Sequence, residues 1–200
     1  FDGRIIVNSR NLLYSDVVGK DACGIGGIAT SDSSQHHEVV AKALGALRSM
    51  EHRGGVCGDS GDGAGLTCQM PIGFFHGEAR RLFPDKCGRL TDDTPLAIGS
   101  LFIFDSQGPS KQKAITLAEK TIQIPGLKYL GARDVPVRDA TIPESVSANR
   151  PAIVQLIFSY TGGSETIERD LLRCRLQLRQ TYLENGLTVS ITALSTKLVS

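Results

Sequence analysis

Apolar positions along this chain repeat at two spacings, one that suits helices and one that suits strands. Between residues 35 and 52, Val39, Val40, Ala43, Leu44, Leu47 and Met50 fall three and four apart, which predicts a helix with one apolar face. Ser33 or Ser34 would cap it, and Gly54-Gly55 would end it. Residues 24–30 (GIGGIAT) are small and apolar and predict a buried strand closely approached by other backbone. Residues 54–65 hold glycine at six of twelve positions, a density that neither a helix nor a central strand tolerates, and are expected to form a loop.

The pattern continues in the same alternation. Residues 66–70 predict a strand, and residues 71–82 a short helix with Pro71 early in it. Residues 96–104 are a strongly apolar strand, and residues 110–124 a helix with Ile115, Ala118 and Ile122 on one side. Residues 127–137 predict a strand whose end Pro136 demotes to an edge. The run RPAIVQLIFSY, residues 150–160, is a buried strand. Residues 164–184 predict a long amphipathic helix. Ile167, Leu171, Cys174 or Leu178, and Tyr182 point inward, and Arg169, Arg173, Arg175 and Arg179 lie on the exposed face. Asn185-Gly186 closes that helix, and residues 187–194 are the next strand. Alternating strands and helices, several flanked by glycine turns, imply an α/β or layered α+β architecture. The last apolar run, up to Val199, has nothing closing it and the chain opens on Phe1, so a piece of something longer is expected.

Composition narrows the function. The 200 residues are 40% hydrophobic and 22% charged, enough for one ordinary domain or two very small ones. Lys and Arg number 22 against 21 Asp and Glu, a net charge of +1, so no global field argues for a nucleic acid or an anionic membrane as partner. The absence of Trp and a 6% aromatic content argue against a stacking platform for single strands. No apolar run reaches the length of a membrane span. The five cysteines are odd in number and form no C-x-x-C pair, which disfavours a disulfide framework and a zinc site and favours a reducing, cytoplasmic compartment. Residues 1–22 are broken by charges and are not a secretory signal.

The glycine patterns carry little chemistry by themselves. Residues 24–29 fit G-x-G-x-x-A, but no helix opens at their end as the dinucleotide fingerprint requires, so a close-packed strand is the better reading. The loop at 54–65 lacks the G-K-[ST] of a P-loop, and its aspartates lack the spacing and closing Glu of a calcium loop. His36, His37 and His52 read as solvated positions at helix ends; no metal site is expected. Cys23 is different. Gly24 removes a side chain beside it and lets a substrate approach. No neighbouring His supplies a base, but cleavage of the Ala22–Cys23 bond would give Cys23 its own α-amine. That amine titrates at about 8, close to the roughly 8.5 of a thiol, and can take the thiol proton near neutral pH.

The run Asp21-Ala22-Cys23-Gly24-Ile25-Gly26 resembles the start of class II glutamine amidotransferases, most of all the amidotransferase domain of glutamate synthase. Residues 43–47 (ALGAL), Glu51-His52-Arg53-Gly54, the G-D-G-A-G of residues 61–65 and Gln69-Met70-Pro71 with Phe74-Phe75 follow in the family order. Residues 167–171 (IERDL) and 193–197 (ALSTK) resemble later family segments. The resemblance implies an α+β fold, the four-layer αββα sandwich of N-terminal-nucleophile hydrolases, of which residues 23–200 would be the N-terminal part and residues 1–22 a leader to be removed. It implies that Cys23 attacks the side-chain amide of L-glutamine, forms a thioester, and sends ammonia to synthase domains of the same chain. FMN and an iron–sulfur cluster would belong to those other domains; no cofactor is expected in this segment. A plastid location is the alternative to the cytoplasm, and a homo-oligomer stays open.

The residues themselves suggest supporting roles. Arg53, at a helix end beside a glycine loop, would place positive charge near the thiolate or make a structural salt bridge. Asp62 would fix its loop by accepting backbone N–H groups. The sequence departs from the family at Gly27, where a bulky apolar residue is usual, in a shorter loop at 54–60 carrying Cys57, and at Lys197, where arginine is common. The arginine, the Asn-Gly oxyanion pair and the aspartate that complete the family's site would fall beyond residue 200, so these 200 residues alone are expected to be nearly inactive. Asn185-Gly186 reads as a helix cap and not as that pair. The departures motivate one alternative, a non-catalytic binding or regulatory module that kept the fold.

Overall fold

A computed structural model describes residues 24–31, 36–57, 59–61, 63–104, 109–147, 149–163 and 165–200. They fall in two compact units, Phe1–Ala64 and Gly65–Ser200.

In the first unit the helical spacing is realised as α1 (His36–Ser49). Val39, Val40, Ala43, Leu47 and Met50 are half-buried and Leu44 is exposed, so the apolar stripe is only partly covered. A single 3-10 turn, Glu51–Arg53, follows, and the Gly54 N–H donates to Glu51 O at 3.0 Å as the chain becomes extended. Inside the glycine-rich segment, β1 (Val56–Cys57) pairs antiparallel with β2 (Ser60–Gly61). High glycine content excludes a long strand yet leaves a two-residue ladder free to form. The strand expected at 24–30 is absent. These residues are neither helix nor strand and are exposed, Ile25 to 93%. Three glycines in seven positions leave few side chains to bury, and an apolar run without buried surface gains nothing from pairing.

The second unit is α+β and holds the remaining elements. They are β3 (Cys68–Gln69), α2 (Ile72–Leu82), β4 (Leu96–Ile103), α3 (Pro109–Thr121), β5 (Leu127–Asp134), α4 (Glu144–Ser147), β6 (Ala152–Tyr160), α5 (Ile167–Glu184), β7 (Val189–Ser195) and β8 (Leu198–Val199). The four long strands form one antiparallel sheet in the order β5-β6-β4-β7. The two unbroken apolar runs became its centre, because a strand covered on both faces needs no polar alternation. Residues of β5 stop short of Pro136 and take an edge, where a missing N–H costs nothing. The final run is two strands and not one: β7 turns at Thr196-Lys197 and β8 pairs with β3.

Alternation sorts the core into two clusters. Ala97, Leu101 and Ile103 of β4 and Val154, Leu156 and Phe158 of β6 meet Ala114 and Ala118 of α3 and Leu171, Leu178 and Tyr182 of α5. The opposite face, Leu96, Ile98 and Ile157, meets Phe75 and Ala79 of α2 and Val199 of β8. The Tyr182 hydroxyl donates to Ala114 O at 3.0 Å and joins the two helices of the first face. Burial pushes its phenol well above the usual range. Gly186 takes φ +67° just past α5, the left-handed cap that glycine supplies most cheaply. Gly131 is required for a different reason: the Phe83 ring lies where its Cβ would be, with Cδ1 only 2.6 Å from that point.

Candidate functional site

Of the residues singled out by sequence, Gly24 and Arg53 are described, and both belong to the first unit. Gly24 begins the exposed stretch 24–31, and an added Cβ at Gly26 or Gly27 would meet nothing within 4 Å. Arg53 is the last residue of the 3-10 turn that ends the α1 segment. That turn is held from inside: the Ser49 hydroxyl donates to Gly45 O at 3.0 Å, and a His52 ring N–H at Nδ1 donates to Ser49 O at 3.0 Å. His52 therefore serves the local backbone, in keeping with a helix-end role. Cys23 and Asp62 lie outside the described residues. Among the described residues no group of three or more His, Cys, Asp or Glu is arranged to hold a metal ion.

The second unit contributes two polar clusters that sequence reading did not join. The first sits at the start of α5. Glu168 accepts hydrogen bonds from the Ser195 hydroxyl at 2.7 Å, the Thr196 N–H at 2.8 Å and the Thr196 hydroxyl. Ser195 Oγ in turn accepts the Lys197 N–H at 2.9 Å and the Leu198 N–H at 3.2 Å. Partial burial works to raise the Glu168 pKa, but the bonds from Thr196 and Ser195, with the charge of Lys197, outweigh it and hold the carboxyl below the ordinary value. Both segments, IERDL and ALSTK, stood out in the sequence as family-like, but nothing in their spacing of 27 residues says that they touch. Thr196 and Lys197 also border a groove of about 440 Å³ with Gln69, Met70 and Leu198.

The second cluster ties α2 to the sheet. Glu78 accepts a two-pronged bond from Arg81 at 2.9 and 3.0 Å and another from Arg133 Nε at 3.0 Å. Arg133 also donates to Gln155 Oε1 and its guanidinium stacks 5.2 Å from the Phe74 ring. Gln155 faces Ser100 across the β4–β6 register, so a polar seam runs through the α2 face of the sheet. Both are structural arrangements whose partners come from strands distant in sequence.

The thiols divide by environment. Burial raises the pKa of Cys87 and of Cys174, and the positive charges of Arg80 and Lys128 only partly offset it at Cys87. A thiol whose pKa is raised is a poor nucleophile near neutral pH, so buried Cys87 and half-buried Cys174 are packing residues. Among the described residues no helix is long and apolar enough to cross a membrane.

The pattern of "Glutamine amidotransferases class-II" matches residues 23–200. The large chain of NADPH glutamate synthase from Azospirillum brasilense is 32% identical over 164 residues, 80% of this chain and 10% of that protein. Ferredoxin-dependent glutamate synthase 1 of Arabidopsis thaliana, chloroplastic/mitochondrial, is 36% identical over 161 residues, 78% of this chain and 10% of its own length. The NADPH enzyme's large chain from Bacillus subtilis is 29% identical over 192 residues, 94% of this chain and 12% of its own. The chain thus spans about a tenth of the length of these relatives. With the family pattern beginning at Cys23 and covering both units, the chain belongs to the class II glutamine amidotransferases and is similar to the amidotransferase part of glutamate synthases.

Proposed function

We propose that this chain carries the glutaminase half-reaction of a glutamate synthase. The observation that carries the reading is that the family match starts at Cys23, the residue whose position before Gly24 already suggested a thiol freed as a chain terminus. In the reaction, removal of residues 1–22 exposes the Cys23 α-amine. The amine takes the thiol proton, and Sγ bonds to the side-chain amide carbon of glutamine. The carbon–nitrogen bond then breaks, the amine returns its proton, and ammonia leaves. Water attacks the thioester, releases glutamate and restores the thiol. Gly24 leaves room for the substrate beside the nucleophile. Arg53 favours the thiolate by its charge, and Asp62 keeps its glycine loop in shape.

The ammonia passes to synthase domains of the same chain, which hold FMN and an iron–sulfur cluster. That each relative cited is a glutamate synthase supports this assignment. The fold proposed for the complete domain is the αββα sandwich. Its support is the layering of the second unit, in which α3 and α5 cover one face of the sheet, while α2 and the β3–β8 pair lie toward the other. The compartment is the cytoplasm, or the plastid in a photosynthetic cell, as the chloroplastic relatives suggest. The test is Cys23→Ala in the full-length protein. Glutamine-dependent glutamate synthesis is expected to vanish while ammonia-dependent synthesis persists. Active protein whose N-terminal mass still includes residues before Cys23 overturns the mechanism.

A further inference from the structure

We propose that the groove between α5 and the open edge of β7 is a docking surface for an acidic, extended segment of a partner protein, which adds to the sheet as a fifth strand. The inference lies within the second unit, goes beyond the glutaminase reading and does not depend on it. The sheet runs β5-β6-β4-β7, so β7 pairs with β4 on one side and with no strand on the other among the described residues. Beside this edge lies a groove of about 470 Å³, lined by α5 and by residues 187–191. The inward face of α5, with Leu171, Leu178 and Tyr182, is spent on the core. A second apolar stripe opens on the groove: Leu172, Leu176 and Leu183 line it and are 51%, 60% and 63% exposed. They follow at intervals of four and seven residues, which places them on one side of a helix. Single exposed leucines are ordinary, but three that share one concave surface mark a contact face. Between them stand Arg175 and Arg179, which also line the groove. Arg173 is paired with Asp170, whereas Arg175 and Arg179 form no ion pair among the described residues. No acidic side chain lines the groove.

Charge selects the occupant. A second copy docking about a twofold axis would set Arg175 and Arg179 against their own images, which like charge disfavours. A segment that carries carboxylates is attracted instead. The strand edge selects the conformation. A docked helix or a lipid surface would cover the β7 edge without pairing its N–H and C=O groups, whereas an extended chain pairs them. The regular part of the edge is Val189–Ile191, because Thr192 is left over where the register slips between Ser100 and Leu101, and such a bulge ends regular pairing. From Leu172 to Leu183 the helix rises about 16 Å, the reach of about five residues of a strand. Strand side chains alternate between faces, so the segment offers α5 an apolar, an acidic and an apolar residue at every second position.

The experiment titrates the full-length protein into a fluorescently labelled peptide, Ser-Leu-Thr-Glu-Thr-Leu-Ser, and reads anisotropy. Saturable binding is expected. It should weaken about tenfold in the double variant Arg175→Gln/Arg179→Gln, which removes two exposed ion pairs. Added salt should weaken wild-type binding more than that of the variant. Leu176→Asn should weaken binding as well, and a peptide with proline at both threonines, which cannot pair along an edge, should not bind. A peptide with lysine in place of glutamate tests the charge on the unchanged protein, so the test survives a variant that fails to fold. No binding, equal binding of the lysine peptide, or binding that folded Arg175→Gln/Arg179→Gln leaves unchanged overturns the inference. So does a Leu176→Cys protein that peptide mass mapping finds unalkylated at residue 176, because the full-length protein then covers the groove itself. Binding of phosphatidylserine vesicles in place of the peptide gives the face to a lipid surface, and a dimer in sedimentation that Leu176→Asn dissolves gives it to a second copy. Either result also overturns the proposal.

Discussion

Replacing Gly131 with alanine tests how tightly the edge of the sheet is closed. Gly131 follows the point where β5 slips register against β6, between Tyr129 and Gly131, and its open side is filled by the Phe83 ring. The new methyl would overlap Cε1 and Cζ and stand 2.6 Å from Cδ1, whereas ordinary contact starts at 3.4 Å. Something must give, and the ring is poorly placed to do so. Phe83 closes α2 with its N–H bonded to Ala79 O at 2.8 Å, and its side chain packs on the second core cluster. Overpacking of this kind costs about 1–3 kcal/mol, and the edge position of β5 lets the strand yield, which sets the expectation at about 2 kcal/mol. For a chain of this size each kcal/mol lowers Tm by about 2–4 °C, so a fall of about 4–8 °C is expected. Urea titration followed by circular dichroism, with a thermal scan, measures both. The Phe83→Leu variant removes the obstacle and is itself destabilising. In the double variant the two losses must sum to clearly less than their separate values, because the clash exists only when both ring and methyl are present. Strict additivity, or a Gly131→Ala variant as stable as wild type, would refute the close-approach argument.

Three further outcomes follow from the same structure. Tyr182→Phe removes the bond to Ala114 O without leaving a cavity; Ala114 O still has its helical partner, so the loss should be about 1 kcal/mol in the urea midpoint. The hydrogen bond from Arg81, backed by the charges of Arg81 and Arg133 against the cost of desolvation, holds Glu78 below the ordinary 4.5. Its contribution is therefore complete above about pH 4.5 and lost as pH falls through the lower folded value. The stability gap between wild type and Glu78→Gln should narrow on acidification below that point, and a gap independent of pH would contradict the assignment. Cys87 and Cys174, with thiol pKa values raised by burial, should alkylate slowly at pH 8 and quickly in urea, as read by peptide mass mapping.

The long elements were readable because each had a period of its own. Leu171, Leu178 and Tyr182 lie on one stripe of α5 as their spacing required, and Gly186 caps it. The apolar runs at 96–104 and 150–160 became the paired central strands. The short elements were not readable in the same way. GIGGIAT has the composition of a buried strand yet lies exposed, and the run after Leu187 contains a turn at Thr196-Lys197 that no glycine or proline announces. That turn is made by Glu168, 28 residues earlier, and a contact between distant residues leaves no local trace. The family was legible through ordered motifs, because motif order survives where periodicity is silent.

Sequence by itself thus determined the family and the types of the long elements, since both depend on residues close together along the chain. Only the tertiary structure decided which strand runs lie central and which at the edge, that Phe83 forbids a side chain at Gly131, and that one carboxylate on α5 organises the β7–β8 turn. Those decisions rest on packing and on satisfying buried donors. Both are properties of groups brought together by folding and not of the segments that carry them.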